Sequence, residues 1–147
     1  MTEYSPVNSQ SQSISTAASA VKSAQAEIDS SEELALAAAQ AASDRKAGDI
    51  IVLRVADVSY MADYFVIATG YSHVQVRAIA QAIADQIEQE WQRQPLRTEG
   101  KVDASWVLQD YGDVIVHVMM PKEREFYNLE AFWGHAEQIE FTTADGA

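Results

Sequence analysis

The stretch that decides the fold is Ser105-Trp106-Val107-Leu108-Gln109-Asp110-Tyr111-Gly112-Asp113-Val114-Ile115-Val116-His117-Val118-Met119. It consists of two apolar runs separated by a short polar link. Runs of this length on either side of a Gly-containing link are typical of two antiparallel strands joined by a tight turn. The sequence therefore predicts a β-hairpin here.

The expected pairing follows from the position of the link. If Tyr111-Gly112 is a two-residue turn, Asp110 lies opposite Asp113 beside the turn. Further along the same face, Trp106 lies opposite His117. The sequence thus predicts a hairpin face with two opposed carboxylates at one end and a Trp–His pair at the other. These residues also have a purely structural interpretation, in which the carboxylates are solvated at the turn and the Trp is part of the core. The residue types alone do not decide between this interpretation and a binding role.

The composition limits the protein class. A chain of 147 residues that is 48% hydrophobic can form one domain with a real core. The absence of cysteine excludes disulfides, thiolate zinc sites and a Cys nucleophile. No stretch approaches the roughly 20 apolar residues that span a bilayer. The N-terminus resembles neither a secretory signal nor an Arg-rich transit peptide, so we expect a cytoplasmic protein and no membrane contact.

The charge is strongly acidic, with a net value of −12. Between Asp103 and Glu140 there are eight acidic residues and two basic ones. Few cations are available for a nucleic-acid backbone, so we expect little direct nucleic-acid contact. An acidic surface favours a basic protein partner, although solubility alone would also explain it.

The chain divides into three segments. Residues 1–29 are rich in Ser, Gln, Ala and Thr, which predicts a disordered or weakly helical tail. Residues 30–141 form the predicted domain, and 142–147 a flexible C-terminus.

Apolar periodicity predicts the order of elements within the domain. Helices are expected over 34–46, from Ser72 to Trp91, and from Pro121. The last of these has an apolar stripe of Phe126, Leu129 and Trp133, which is expected to lie in the core rather than in a partner groove. Strands are expected over 50–55, 64–68, within 96–102, in the hairpin, and near Ile139. The predicted fold is α/β, with a mixed central sheet of about five strands flanked by helices.

Two patterns raise the question of catalysis. Gly70-x-Ser72 lies between a strand and a helix and could hold an anion, but Ser72 and Gln75 more simply cap that helix. Asp110 and Asp113 are the one carboxylate pair that could hold a metal, and they flank a turn without further ligands. The three histidines lack metal-ligand spacing. We therefore expect no catalytic residues, no metal and no cofactor, with a nucleotidyltransferase-like enzyme as the alternative.

Three motifs resemble the ribosomal silencing factor family (RsfS, or Iojap-like). The first is Asp63-Tyr64-Phe65-Val66-Ile67-Ala68-Thr69-Gly70-x-Ser72-x-x-Gln75-Val76-x-Ala78-Ile79. The second is Glu99-Gly100 with Trp106 and the run Asp110 to Val118, and the third is Arg124-x-Phe126-Tyr127-x-Leu129-Glu130-x-x-Trp133. Together they cover about residues 34–133, and the tail lies outside the resemblance.

The resemblance implies a fold similar to nucleotidyltransferases without their catalytic residues, and a non-enzymatic translation factor. Such factors bind the large ribosomal subunit through large-subunit ribosomal protein fourteen. They block the small subunit from joining and so repress translation when nutrients are scarce. Organelle relatives are linked to large-subunit assembly, which is an alternative role. Apart from the resemblance, exposed apolar surface at the hairpin could support a homodimer when the ribosome is absent.

The partner contact is expected at residues that combine these motifs with aromatic or charged chemistry. They are Trp106, Asp110, Tyr111, Asp113, His117 and Arg124, with Tyr127 and Glu130 as second choices.

Overall fold

The structure is a computed structural model that describes residues 30–142. The predictions for the tail 1–29 and for residues 143–147 lie outside the described residues. The elements in chain order are α1 (30–44), β1 (Gly48–Arg54), β2 (Tyr64–Thr69), α2 (His73–Trp91), β3 (Arg97–Glu99), β4 (Trp106–Asp110), β5 (Val114–Met119), α3 (Pro121–Tyr127), α4 (Leu129–Phe132) and β6 (Glu137–Ile139).

The strands form one mixed sheet in the order β3-β4-β5-β2-β1-β6. The central pair, β2 and β5, is parallel, and all other neighbours are antiparallel. The predicted α/β class with a mixed sheet and flanking helices is confirmed. The described sheet has six strands where about five are predicted, since the short strands expected within 96–102 and near Ile139 both form, one at each edge. The likeness to nucleotidyltransferases stays a prediction.

The central strands separate two apolar layers. Every residue of β2 and β5 is buried, and alternate residues face opposite sides of the sheet. One layer contains Tyr64 and Val66 and is covered by α1 and α2. The other contains Phe65 and Ile67 and is covered by Leu129, Trp133 and neighbouring short segments. The second layer is therefore the less fully covered one.

Helix α2 begins where the sequence predicts. The Ser72 Oγ accepts a hydrogen bond from the Gln75 backbone N–H at 3.0 Å, and the Gln75 Oε1 accepts one from the Tyr71 N–H at 2.7 Å. The Gln75 Nε2 also donates to the carbonyl oxygens of Arg45 and Lys46. The capping interpretation is confirmed, and the same Gln ties the end of α1 to the start of α2.

The predicted hairpin register is wrong by two residues. Asp110 pairs with Ile115 and Trp106 with Met119, so the two-residue turn is Gly112-Asp113 rather than Tyr111-Gly112. Gly112 has a φ of 92°, which suits the first central residue of a type II′ turn. Asp113 therefore lies in the turn and does not face Asp110. A shift of two residues keeps each strand side chain on its predicted face.

The last predicted helix is divided in two. Asn128 has a φ of 46° and ends α3, and α4 follows it. Leu129 and Trp133 pack against the second layer as predicted, but Phe126 is 78% exposed. Phe126 was predicted to be core, and that prediction is wrong because the left-handed residue changes the helix direction between it and Leu129.

Gly70 allows α2 to lie close to the end of β2. A Cβ at this position would approach the Val76 Cγ2 to 2.7 Å and the Ile79 Cδ1 to 3.2 Å, in a fully buried layer. We expect Gly70→Ala to lower the free energy of unfolding by about 1–3 kcal/mol, since overpacking forces the helix to shift. Urea denaturation measures the change, and the exposed Gln89→Ala on the same helix is the control. Equal midpoints for the two variants would contradict this packing.

Candidate protein-binding surface

Seven rings contact one another in an unbroken path across the less covered side of the sheet. In order they are Phe126, Tyr127, Trp106, His117, Phe65, Trp133 and Phe132, and we call them the aromatic surface. Successive ring centroids are 4.9, 4.8, 5.9, 5.1, 5.2 and 5.1 Å apart. The path is buried at its centre and exposed at both ends, where Phe126 is 78% and Phe132 is 75% exposed.

A hydrogen bond fixes the centre of the aromatic surface. The Trp106 Nε1–H donates to the His117 Nδ1 at 3.1 Å, although the two residues are not direct strand partners. An accepting Nδ1 requires that the proton of the neutral ring be carried on Nε2. Burial lowers the pKa of His117 to about 4, so the ring is neutral near pH 7. His117 is only 5% exposed, so it has little surface for contact with a partner protein. Its role is to fix the orientation of the Trp106 ring through this hydrogen bond.

Arg124 and Glu130 hold the helical segment that carries the exposed end of the path. The Arg124 Nε donates to the Glu130 Oε2 at 2.8 Å, and its Nη1 donates to the Thr69 Oγ1 at 2.8 Å. The Arg124 side chain is only 10% exposed. These contacts join α3 and α4 to the end of β2, so both residues support the aromatic surface.

The two carboxylates at the turn end of the hairpin, Asp110 and Asp113, have different hydrogen-bond partners. Asp113 accepts from the Arg93 Nη2 at 2.7 Å and from the Ser31 Oγ at 2.6 Å, whereas Asp110 accepts from the Gly112 N–H at 2.8 Å. Burial acts to raise the pKa of Asp113, but the hydrogen bonds from Arg93 and Ser31 outweigh it and the pKa is lowered. Asp113 therefore links the hairpin to α1 and to the segment that follows α2.

Asp110 also has a more distant ionic contact, 3.4 Å from the Arg97 Nη2. Within residues 30–142, no three His, Asp or Glu side chains converge as metal ligands would. Asp110 and Asp113, which the sequence offers as a candidate metal-binding pair, therefore do not act as a pair in this structure: each contacts different residues.

Tyr111 lies in the core. Its side chain is 2% exposed, and burial raises the pKa of its hydroxyl to about 12. The Arg93 guanidinium lies 5.9 Å from its ring centroid and donates to its backbone oxygen at 2.6 Å. Tyr111 therefore has almost no surface available for contact with a partner protein.

The structure thus brings together five of the eight predicted residues and separates three. Trp106, His117 and Tyr127 lie within the aromatic surface, and Arg124 and Glu130 support it. Asp110, Tyr111 and Asp113 lie at the far end of the hairpin. Sequence reasoning did not assign contact roles to Phe126 and Phe132. A signal existed, because consecutive aromatic residues on a helix cannot both face the core.

The segment that carries the exposed rings is acidic. Between Pro121 and Glu140 there are five acidic and two basic residues, and the Arg124 charge is paired with Glu130. A cleft of about 300 Å³ lies beside Trp106, and its wall includes Phe126, Tyr127 and the oppositely charged Lys122 and Glu123. Aromatic side chains bordered by charged groups are typical of protein interfaces.

Comparison with known proteins identifies the family. Residues 28–146 match the family described as "Ribosomal silencing factor during starvation". The chain belongs to the ribosomal silencing factor family. It is 48% identical over 99 residues to ribosomal silencing factor RsfS of Bacillus subtilis, which covers 67% of this chain and 83% of that protein. It is also 44% identical over 129 residues to the chloroplastic protein Iojap of Arabidopsis thaliana, covering 85% of this chain and 53% of that longer protein.

Solved structures from relatives have the same fold. A crystal structure of a Chromobacterium violaceum protein superposes with a TM-score of 0.68 at 34% identity, covering 77% of this chain and 92% of that one. A crystal structure of a Bacillus halodurans protein superposes with a TM-score of 0.64 at 39% identity, covering 75% of this chain and 99% of that one. Within residues 30–142, no helix has the length and apolar character that crossing a bilayer requires.

The buried neutral His117 predicts a specific acid sensitivity. Its pKa is lowered on folding, so the unfolded chain binds more protons between pH 6.5 and about 4. The free energy of unfolding is therefore unaffected by the titration of His117 above pH 6.5. As the pH falls towards 4, protonation of this residue in the unfolded chain lowers this free energy by roughly 3 kcal/mol in total. We expect His117→Phe to flatten the slope of unfolding free energy against pH in this window. Urea denaturation across pH 4–7 measures it, and an unchanged slope would contradict the assignment.

Proposed function

We propose that the chain binds the large ribosomal subunit through large-subunit ribosomal protein fourteen and sterically prevents the small subunit from joining. Translation would thereby be repressed when nutrients are limiting, in the cytoplasm of a bacterial cell. Membership of the ribosomal silencing factor family supports this role. The observation that carries it is the aromatic surface, which is continuous and exposed at both ends.

The aromatic surface has the features that a protein contact requires. Phe126, Tyr127 and Phe132 offer exposed rings, and such side chains contribute most of the affinity in many interfaces. Trp106 is held in place by His117, so little conformational entropy is lost when a partner packs against it. Ribosomal proteins are basic, and the acidic residues around the rings suit such a partner.

A steric block needs affinity and bulk rather than a reacting group, so we propose a non-enzymatic role. The alternative of a nucleotidyltransferase depended on the paired use of Asp110 and Asp113. Asp113 is instead held by Arg93 and Ser31, and Gly70-x-Ser72 serves as a close contact and a helix cap. Calorimetry with nucleotide and magnesium separates the two roles, because the proposed one expects no heat of binding.

The exposed end of the aromatic surface provides a direct test of binding. We expect Phe126→Ala to weaken binding to purified large subunits about 30-fold, the effect of losing a typical interface anchor of about 2 kcal/mol. Co-sedimentation measures the affinity. Leu96→Ala removes a comparably exposed apolar side chain beside β3 and is the matched control, with no expected change.

Equal binding by wild type and Phe126→Ala would remove the aromatic surface from the contact. Reversing the charge of Asp113 is not a clean alternative, since it would break the link to Arg93 and Ser31 and destabilise the domain.

The steric role is tested separately from binding. When small and large subunits are mixed with excess protein, we expect the joined fraction to fall while free large subunits carrying the protein increase. Sucrose-gradient sedimentation with and without the protein measures both fractions. Binding without any loss of joined ribosomes would exclude the block and would favour a role in large-subunit assembly.

A further inference from the structure

A second feature lies on the opposite side of the sheet from the aromatic surface. It is a cleft of about 230 Å³ between α2 and the strands β3 and β4. Ala80 and Ala84 are four residues apart and so lie on one face of α2, where their small side chains leave a space. Val107 of β4 and Pro95 form further apolar wall. A cavity of about 150 Å³ accepts benzene, so this one has room for a ring with a short substituent.

The charges around this cleft are unusual for an acidic chain. Arg77 and Lys101 line it, and no acidic side chain does. Neither cation forms an ion pair within residues 30–142. The Arg77 guanidinium donates to the backbone oxygens of Lys101 and Val102, which leaves further N–H groups available. The pKa of Asp103 is lowered, first by its hydrogen bond from Ser105 and to a smaller extent by nearby charges that include Arg77, so this carboxylate partly offsets the Arg77 charge. Asp103 does not line the cleft itself.

Gln109 adds an independent sign of an incomplete site. It lines the cleft and is 3% exposed. Its Nε2 donates to the Ala80 carbonyl at 2.8 Å, whereas its Oε1 has no hydrogen-bond partner among the described residues. Buried acceptors in folded proteins are nearly always satisfied, by protein, water or a ligand.

We propose that this cleft binds a small organic anion with an aromatic or branched apolar body. The apolar part packs between Ala84 and Val107, and the anionic group lies at the side of Arg77 and Lys101. A carboxylate or a phosphate meets the charge requirement. The Gln109 Oε1 is an acceptor, so water or a hydrogen-bond donor on the apolar body satisfies it rather than the anionic group. The cleft and the aromatic surface lie on opposite sides of the sheet, so ligand binding at the cleft can be measured on the free chain without ribosomes.

Three probes with the same ring and different charge test the site on the full chain. They are phenylacetate, 2-phenylethanol and phenethylamine, each titrated while backbone amide resonances are followed by NMR. We expect phenylacetate to shift saturably the amides of α2 around residue 80 and of β3 and β4, with at least fivefold higher affinity than 2-phenylethanol. Phenethylamine is expected to cause no shift there.

Two variants locate the effect. Ala84→Leu fills the cleft and is expected to abolish the phenylacetate shifts. Lys101→Gln removes one exposed charge and is expected to weaken phenylacetate about fivefold, the upper range for one solvent-exposed charge contact. Lys122→Gln, which removes an exposed cation elsewhere, is the matched control and should change nothing.

The proposal is overturned if phenylacetate gives no saturable shift, since water alone then fills the cleft. It is equally overturned if all three probes bind alike, or if Ala84→Leu retains the shifts while remaining folded. Should Ala84→Leu fail to fold, the comparison of Lys101→Gln with Lys122→Gln decides, and equal affinities would exclude the site.

Discussion

The parallel pairing of β2 and β5 is the constraint on which the rest of the structure depends. Parallel neighbours cannot be joined by a tight turn, so the chain must cross over, and α2 lies in that crossover. Both strands are buried on both sides, so each side of the sheet needs cover. Two long helices cover one side, while short segments cover the other. The aromatic surface exists because this second cover is incomplete.

Much of this architecture could be predicted from local sequence. The continuous apolar runs of β2 and β5 are typical of fully buried strands, and Ser72 with Gln75 marks the start of α2. The predicted hairpin faces are also correct, because strand side chains alternate with a period of two. The register was not predictable from that alternation, since a shift of two residues preserves it. The position of the positive φ at Gly112 decides it.

The candidate site was harder to predict because its geometry depends on residues distant in sequence. Asp113 is an acidic turn residue in sequence terms, yet it is held by Ser31, which is 82 positions away. Tyr111 belongs to the same motif as Trp106 and is buried, whereas Phe126 was expected in the core and is exposed. Motif membership indicates that a residue matters. It does not distinguish a residue that meets a partner from one that positions its neighbours.

The left-handed backbone at Asn128 has a consequence for how a partner could be selected. Phe126 and Tyr127 precede it, and Phe132 and Trp133 follow it, so this one residue lies between the two exposed ends of the ring path. Asn adopts this conformation more readily than most residues. The relative direction of the two exposed ends therefore depends on the backbone angles of this one residue. Related chains could change which surface they fit by altering this angle, with every aromatic residue left in place.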